Sequence, residues 1–396
     1  MKSITRTVWI LSLVSLFTDM ASEMLYPVMP FYLKSIGFSI ILIGILEGLA
    51  ESTAGLSKGY FGKLSDCSER RAIFIQTGYA LSAISKPMMA FFIWPLWIFL
   101  ARTVDRFGKG IRTGARDAVL SEEAIPETKG IVFGFHRSMD TVGAVLGPAL
   151  ALLYLSKYPD DYRTLFLVAF IPGLLAVIAS FCLRDKKRAI PLKKEPVPFF
   201  SFVRYWKVSP PAYRKVVVGL LTFSLFNSSD VFLLLKAKQS GLSDTGVMGL
   251  YIFYNLVYAL FAFPAGHIAD KTGLKKMYIA GISLFAMVYF GMSFDSGIYV
   301  YTALFFLYGL YGAATEGISK AWISNIADKR DAATAIGIYS GFQSVSAMLA
   351  SAFAGLIWYR FGASATFITT ATVTILVIVY FLIVVSPPEV KKTPND

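Results

Sequence analysis

The chain has 396 residues, 56% hydrophobic, 15% aromatic and only 16% charged, with a net charge of +13. Soluble domains carry roughly 25% charged residues, and here the deficit extends over the whole length, so the sequence is that of an integral membrane protein. Two cysteines, Cys67 and Cys182, and two histidines, His136 and His267, are too few for a disulfide framework or a metal cluster, and the positive charge is informative through the loops that hold it rather than as a nucleic-acid signal.

A membrane-crossing helix takes about 20 predominantly apolar residues. Such stretches fall in order at 8–33, 38–63, 72–93, 95–120, 130–156, 164–183, 213–236, 243–267, 275–293, 297–323, 332–358 and 364–385. The start, "MKSITRTVWILSLVSLFTDM", has the basic and apolar parts of a leader peptide. The apolar character resumes at once in "MLYPVMPFYL" without a small-residue cleavage site, so this reads as the first span. With the N-terminus inside, the basic segments "GKLSDCSERR", "RDKKRAIPLKKEPVP", "DKTGLKK" and "DKR" all fall on one side, which predicts two cytoplasmic termini.

A charged side chain at mid-bilayer costs on the order of 3 kcal/mol on insertion scales, so each one inside a span needs a partner or a wet cavity. The first span holds Asp19 and Glu23 on one face at i,i+4. Their mutual repulsion favours one of them keeping a proton, which suits a proton carrier; pairing with basic neighbours is the structural alternative. The second holds Glu47, Glu51 and Lys58, either as further proton-coupling candidates or as a stripe packed on polar groups of the eleventh. The third adds Lys86.

In the fourth, "RTVDRFGKGIRTGARD" carries Arg102, Asp105, Arg106 and Lys109 near one face. Asp105 is placed to pair with Arg102 or Lys109, and Arg106 lies about 13 Å below Trp97 at 1.5 Å per residue, close to mid-membrane. Arg112, Arg116 and Asp117 lie at the far end, as a solvated edge or part of a gate. The fifth adds Arg137 and Asp140. In the second half, Asn227, Asp230, Tyr254, Asn255, Glu316 and Lys320 are the candidates for substrate contact, and Glu316 and Lys320 have the spacing of an ion pair.

Residues 184–212 form the one long hydrophilic break, with an interfacial helix predicted at 199–207. It divides the chain into an N-terminal bundle (1–183), a linker (184–212) and a C-terminal bundle (213–396). The halves repeat at an offset of 204: "KSIGFS" at 34–39 meets "KQSGLS" at 238–243, Gly62 and Asp66 meet Gly266 and Asp270, Glu23 meets Asn227 and Glu51 meets Asn255. This is a parallel duplication of six helices.

"GKLSDCSERR", through Gly62, Leu64, Asp66, Arg70 and Arg71, resembles the major facilitator superfamily signature Gly-x-Leu-x-Asp-Arg-x-Gly-Arg-Arg; Cys67 and Glu69 depart from it. Gly266, Asp270, Gly273, Lys275 and Lys276 repeat the spacing in the second half. "GFHRSMDTVGAVLGPAL" resembles the drug–proton antiporter motif of that superfamily through Gly134, Gly143, Gly147 and Pro148, with Ala151 and Leu152 in place of its last two glycines. Arg106, Lys109 and Gly110 resemble the fourth-helix motif Arg-x-x-Gln-Gly.

The resemblance implies an all-α membrane protein of twelve transmembrane helices in two parallel-repeat bundles. It also implies a cavity lined by the first, fourth, seventh and tenth helices, and a gating latch at Asp66 and Asp270 that stabilises the outward-facing state. The expected function is proton-coupled export of a small amphiphilic molecule across the bacterial inner membrane, with Asp19, Glu23, Glu47, Glu51 and Asp105 as proton candidates. The alternative is a proton-driven importer or exchanger of a small organic anion held by Arg102, Arg106 and Lys109. The partners expected are the small-molecule substrate, protons and the bilayer, with no cofactor, metal or nucleic acid, and a monomer is the expected state. No phosphate loop, nucleophile motif or metal cluster supports an enzyme.

Overall fold

A computed structural model describes residues 4–26, 28–38, 53–55, 57–68, 70–185 and 198–385. The candidates Glu47 and Glu51 lie outside these residues. Helices run in the order α1 (Arg6–Glu23), α2 (Met29–Ser35), α3 (57–66), α4 (Arg71–Phe91), α5 (Pro95–Glu122), α6 (Lys129–Lys157), α7 (Tyr162–Ser180), α8 (Tyr205–Val208), α9 (Pro211–Ser224), α10 (Val231–Gln239), α11 (Asp244–Thr272), α12 (Leu274–Met292), α13 (Ile298–Ile326) and α14 (Ala332–Val384). No strand occurs among the described residues.

Local chemistry sets the ends. Thr5 and Ser243 cap α1 and α11 by accepting from Val8 N (3.3 Å) and Gly246 N (3.1 Å), which satisfies amides that have no helical partner. Pro95 and Pro211 open α5 and α9 where a missing N–H costs nothing. Six helical stretches among the described residues are long and apolar enough to cross a membrane. The last of them is two spans, because Gly362 at φ 86° breaks α14. By contrast α5, with 28 residues, is long enough but carries too much charge to pass as a simple lipid-facing helix, and it is largely buried on one side.

The predicted first and seventh spans are each broken. The first divides into α1 and α2, the seventh into α9 and α10, and the two breaks meet under the 204-residue offset. Gly37 (φ 92°) and Gly241 (φ 93°), one offset apart, follow the breaks in the same left-handed conformation. The short 3-10 turns Pro126–Thr128 and Lys329–Asp331 also correspond. The fold is therefore two copies of one six-helix bundle.

Where a short interfacial helix was predicted, a 3-10 helix, Phe199–Arg204, runs into α8. Phe202 and Tyr205 are both buried in the protein. Phe202 lies on Gly59, where a Cβ would come within 2.6 Å of its ring, and Tyr205 meets Tyr213 edge-on at 5.2 Å. In the second bundle an aromatic cluster of Phe223, Phe285, Tyr289 and Tyr311 fills the interior, with Phe285 stacked on Tyr289 at 4.1 Å. Such pairs contribute roughly 0.5–1.5 kcal/mol each beyond area burial, which matters where lipid removes the hydrophobic drive for helix association.

Candidate functional site

The two bundles are tied together at the end carrying Lys63, Arg71, Lys129 and Lys329, the basic end. Asp66, at the end of α3, accepts from Thr334 N (2.7 Å) and Thr334 Oγ1 (2.6 Å) at the start of α14, and is paired with Arg71 at 2.8 Å. Asp270, in the last turn of α11, accepts from Gly130 N and Ile131 N, both at 2.7 Å, at the start of α6. Residues 130 and 334 are themselves one offset apart, so the motif aspartate of each half caps the equivalent helix of the other. A carboxylate at a helix N-terminus meets both the free amides and the positive end of the dipole.

Glycine permits the approach. A Cβ on Gly62 would stand 2.4 Å from Ala333 O, and one on Gly266 would stand 2.2 Å from Gly130 O. Further ties are Lys63–Asp331 (3.2 Å), Lys129 Nζ to Ser324 O (2.6 Å), Asn325 Nδ2 to Pro126 O (3.1 Å) and Lys58 Nζ to Ser344 Oγ (2.6 Å). Arg70 is helix-capping backbone at the start of α4. At the opposite end Lys236 donates to Asp295 at 2.6 Å, and that hydrogen bond holds the exposed Asp295 carboxyl below its ordinary range.

Above this latch lies a polar cavity of about 140 Å³ in the first bundle. Its walls carry Asp19 and Glu23 from α1, Tyr26 from the break after it, Lys86 from α4, Arg102, Asp105, Arg106, Lys109 and Arg112 from α5, and Arg137 from α6. Among the described residues, six basic side chains thus face three acidic ones. Lys109 and Arg106 lie close enough to Glu23 for their charge to act on it, and so does Asp230 from the second bundle. Arg112 lies over the Tyr79 ring, 4.5 Å from its centroid, a placement that holds a cation in apolar surroundings.

Several pairings differ from the sequence expectation. Asp105 is paired with Lys86 at 2.8 Å, both buried; Lys86 approaches from α4, a neighbour that spacing along α5 does not reveal. Lys320 is paired with Asp117 across the bundles at 2.8 Å, so the predicted Glu316–Lys320 spacing is not the contact Lys320 makes. Asp117 has no exposure at all, so this end of α5 is packed between the bundles rather than a solvated edge.

In the second bundle Asn227 and Glu316 line one recess with Tyr278, Tyr311 and Gln343, and Asn227 donates to Tyr311 Oη at 2.9 Å. Tyr254 donates to Asp230, while Asn255 bonds its own helix at Tyr251 O, 3.0 Å. Of the antiporter-motif residues, Gly143 and Gly147 seat α6 against the α1 backbone, Gly134 seats it against α11, and Pro148 lies inside α6. The sequence marked Asp140 as a charge inside the fifth span but not its partner Ser15, and it did not single out Thr334, because these contacts join residues more than 100 positions apart. The Arg137–Asp140 i,i+3 spacing was the one local sign.

The family profile of the Major Facilitator Superfamily matches residues 11–255 and 231–396. An uncharacterised MFS-type transporter of Methanocaldococcus jannaschii is 30% identical over 366 residues, covering 90% of this chain and 89% of that protein. A multi-drug resistance efflux pump PmrA homolog of Lactococcus lactis is 22% identical over 366 residues, covering 87% of each. The crystal structure of the human organic anion transporter MFSD10 superposes with a TM-score of 0.75 at 16% identity, covering 95% of this chain and 99% of that one.

Proposed function

Because the chain belongs to the Major Facilitator Superfamily and is a multi-pass membrane transporter, we propose that it moves a small amphiphilic organic anion by proton-coupled alternating access, in the direction of export. The excess of basic over acidic side chains among the described residues of the cavity wall carries the anion reading. Arg102, Arg106 and Lys109 offer the carboxylate, sulfonate or phosphate of such a substrate forked and point-charge donors. Asn227, Glu316 and the tyrosines around them face its uncharged part.

Protons enter through the acidic groups of the wall. The bundles 1–183 and 213–396 rock about the cavity, with the basic end toward the cytoplasm and both termini there, as the positive-inside asymmetry favours. The drug-pump relative and the antiporter-like glycines of α6 support export. Uptake or exchange by the same site is the second reading, favoured by Ala151 and Leu152 at the end of that motif.

Proteoliposomes with an imposed pH gradient test this. A fluorescent organic anion should move while the gradient is released, and Arg106→Gln should weaken anion binding and lower its flux. Transport of cationic dyes in place of anions, or anion flux with no proton movement, refutes it. The gradient polarity that drives net flux separates export from uptake.

A further inference from the structure

We propose that the coupling proton is held between Asp19 of α1 and Asp140 of α6, and that Arg137 reports its presence to Tyr258 in the other bundle. The inference rests on the transport reading above and deepens it by naming the proton site.

Asp140 is buried; Ser15 Oγ donates to its Oδ1, and Arg137 Nη1 donates to its Oδ2 at 2.5 Å. Asp19 stands one helical turn from Ser15 on α1, where that helix packs directly on α6 at Gly143 against Leu16 O and Met20 N, and this brings its carboxyl up to that of Asp140. A carboxylate accepts and cannot donate. Two adjoining carboxyl groups can therefore bond to each other only through a shared proton, and two carboxylates in that position would repel. Asp19 lines the cavity and Asp140 does not. A proton from cavity water thus reaches Asp19 first and is then shared with the deeper partner.

Arg137 completes the link. While Nη1 holds Asp140, Nε donates to Tyr258 Oη of α11, and the guanidinium carbon lies 5.4 Å from the Tyr258 ring. The same turn of α6 donates across the bundles through Ser138 Oγ to Ala259 O. One charged side chain therefore touches both the proton site and the opposite bundle.

The surroundings are strongly charged. Glu23 of α1 and Lys109 and Arg112 of α5 face Asp19. Arg116 of α5 and His136 of α6 face Asp140, and Glu316 of α13 acts on Arg137. Loss of the shared proton leaves two carboxylates in this field. Asp19 then turns to Lys109, and Asp140, now carrying a full charge, draws Arg137 away from Tyr258. The proton-bound pair belongs to the state with the basic end closed, and deprotonation favours opening.

The test uses full-length protein in lipid nanodiscs, with Cys67→Ser and Cys182→Ser, and spin labels at Ile125→Cys and Lys329→Cys, which are exposed and equivalent positions at the basic end. Pulsed EPR measures the distance between them from mildly acid to mildly alkaline pH. The expected result is a short distance in acid and a growing long-distance fraction in alkali. Asp19→Asn, whose amide donates to Asp140 as the protonated acid does, holds the short distance at every pH. Asp19→Glu restores the response.

Asp66 and Asp270 also titrate at this end, so the variants decide. A pH response unchanged in Asp19→Asn, a response abolished by Glu23→Gln instead, or no response in the parent protein overturns the assignment. Proton-linked anion flux persisting alongside any of these results overturns the site alone and leaves the transport reading in place.

Discussion

Single residues show how this protein accommodates charge inside the membrane. Lys86 and Asp105 are each less than a tenth exposed and lie 2.8 Å apart. Breaking a buried pair from one side strands the other charge, which costs about 3–5 kcal/mol, whereas replacing both partners with apolar groups is often neutral. Asp105→Asn should therefore lower the midpoint of thermal unfolding in detergent clearly, and Lys86→Met with Asp105→Leu should recover most of the loss. Equal midpoints for the single variant and the parent would contradict this. The cost of burial made these charges visible in sequence, since a membrane span has no other reason to carry "RTVDRFGKG". Their partners were not visible: Lys86 reaches Asp105 only through the packing of α4 on α5, and Lys320 reaches Asp117 only once the two bundles meet.

Individual elements were legible to within a few residues wherever apolar runs were bounded by proline, glycine or charge, as in α4, α5, α6 and α12. The expectation was coarser where a span breaks. The first and seventh spans have enough apolar residues to read as continuous, yet each divides, whereas the boundary between the eleventh and twelfth was legible and falls at Gly362. Glycine at the basic end acts at this scale too. Gly266 lies against the Gly130 backbone, which has no side chain to move aside. Gly266→Val should hold α11 away from α6 and lengthen the distance between labels at 125 and 329. Gly249→Ala on the same helix, where a Cβ meets nothing within 4 Å, should leave it unchanged. A short distance in both variants would show that this contact does not set the closure.

For the whole molecule, the internal repeat at offset 204 was legible and the difference between the two copies was only partly so. Both halves build the same latch, but the first lines its cavity with ionisable groups and the second lines its recess mainly with hydroxyls, amides and aromatic rings around Glu316. Alternating access moves little charge in space; what changes is the side of the membrane to which the cavity is open. A cavity wall whose described residues include six basic and three acidic side chains should therefore sense membrane voltage, with each elementary charge shifted across the full potential contributing about 2.3 kcal/mol per 100 mV. An inside-negative voltage should draw the empty carrier toward opening at the basic end. A bound anion should blunt that pull by cancelling part of the charge. In vesicles holding a valinomycin-set potassium potential, the labelled distance should respond to voltage without anion and respond less with it; equal responses would count against a net positive cavity. On the anion reading proposed above, the arginines that hold the substrate would also make the return of the unloaded protein the electrically driven step of the cycle.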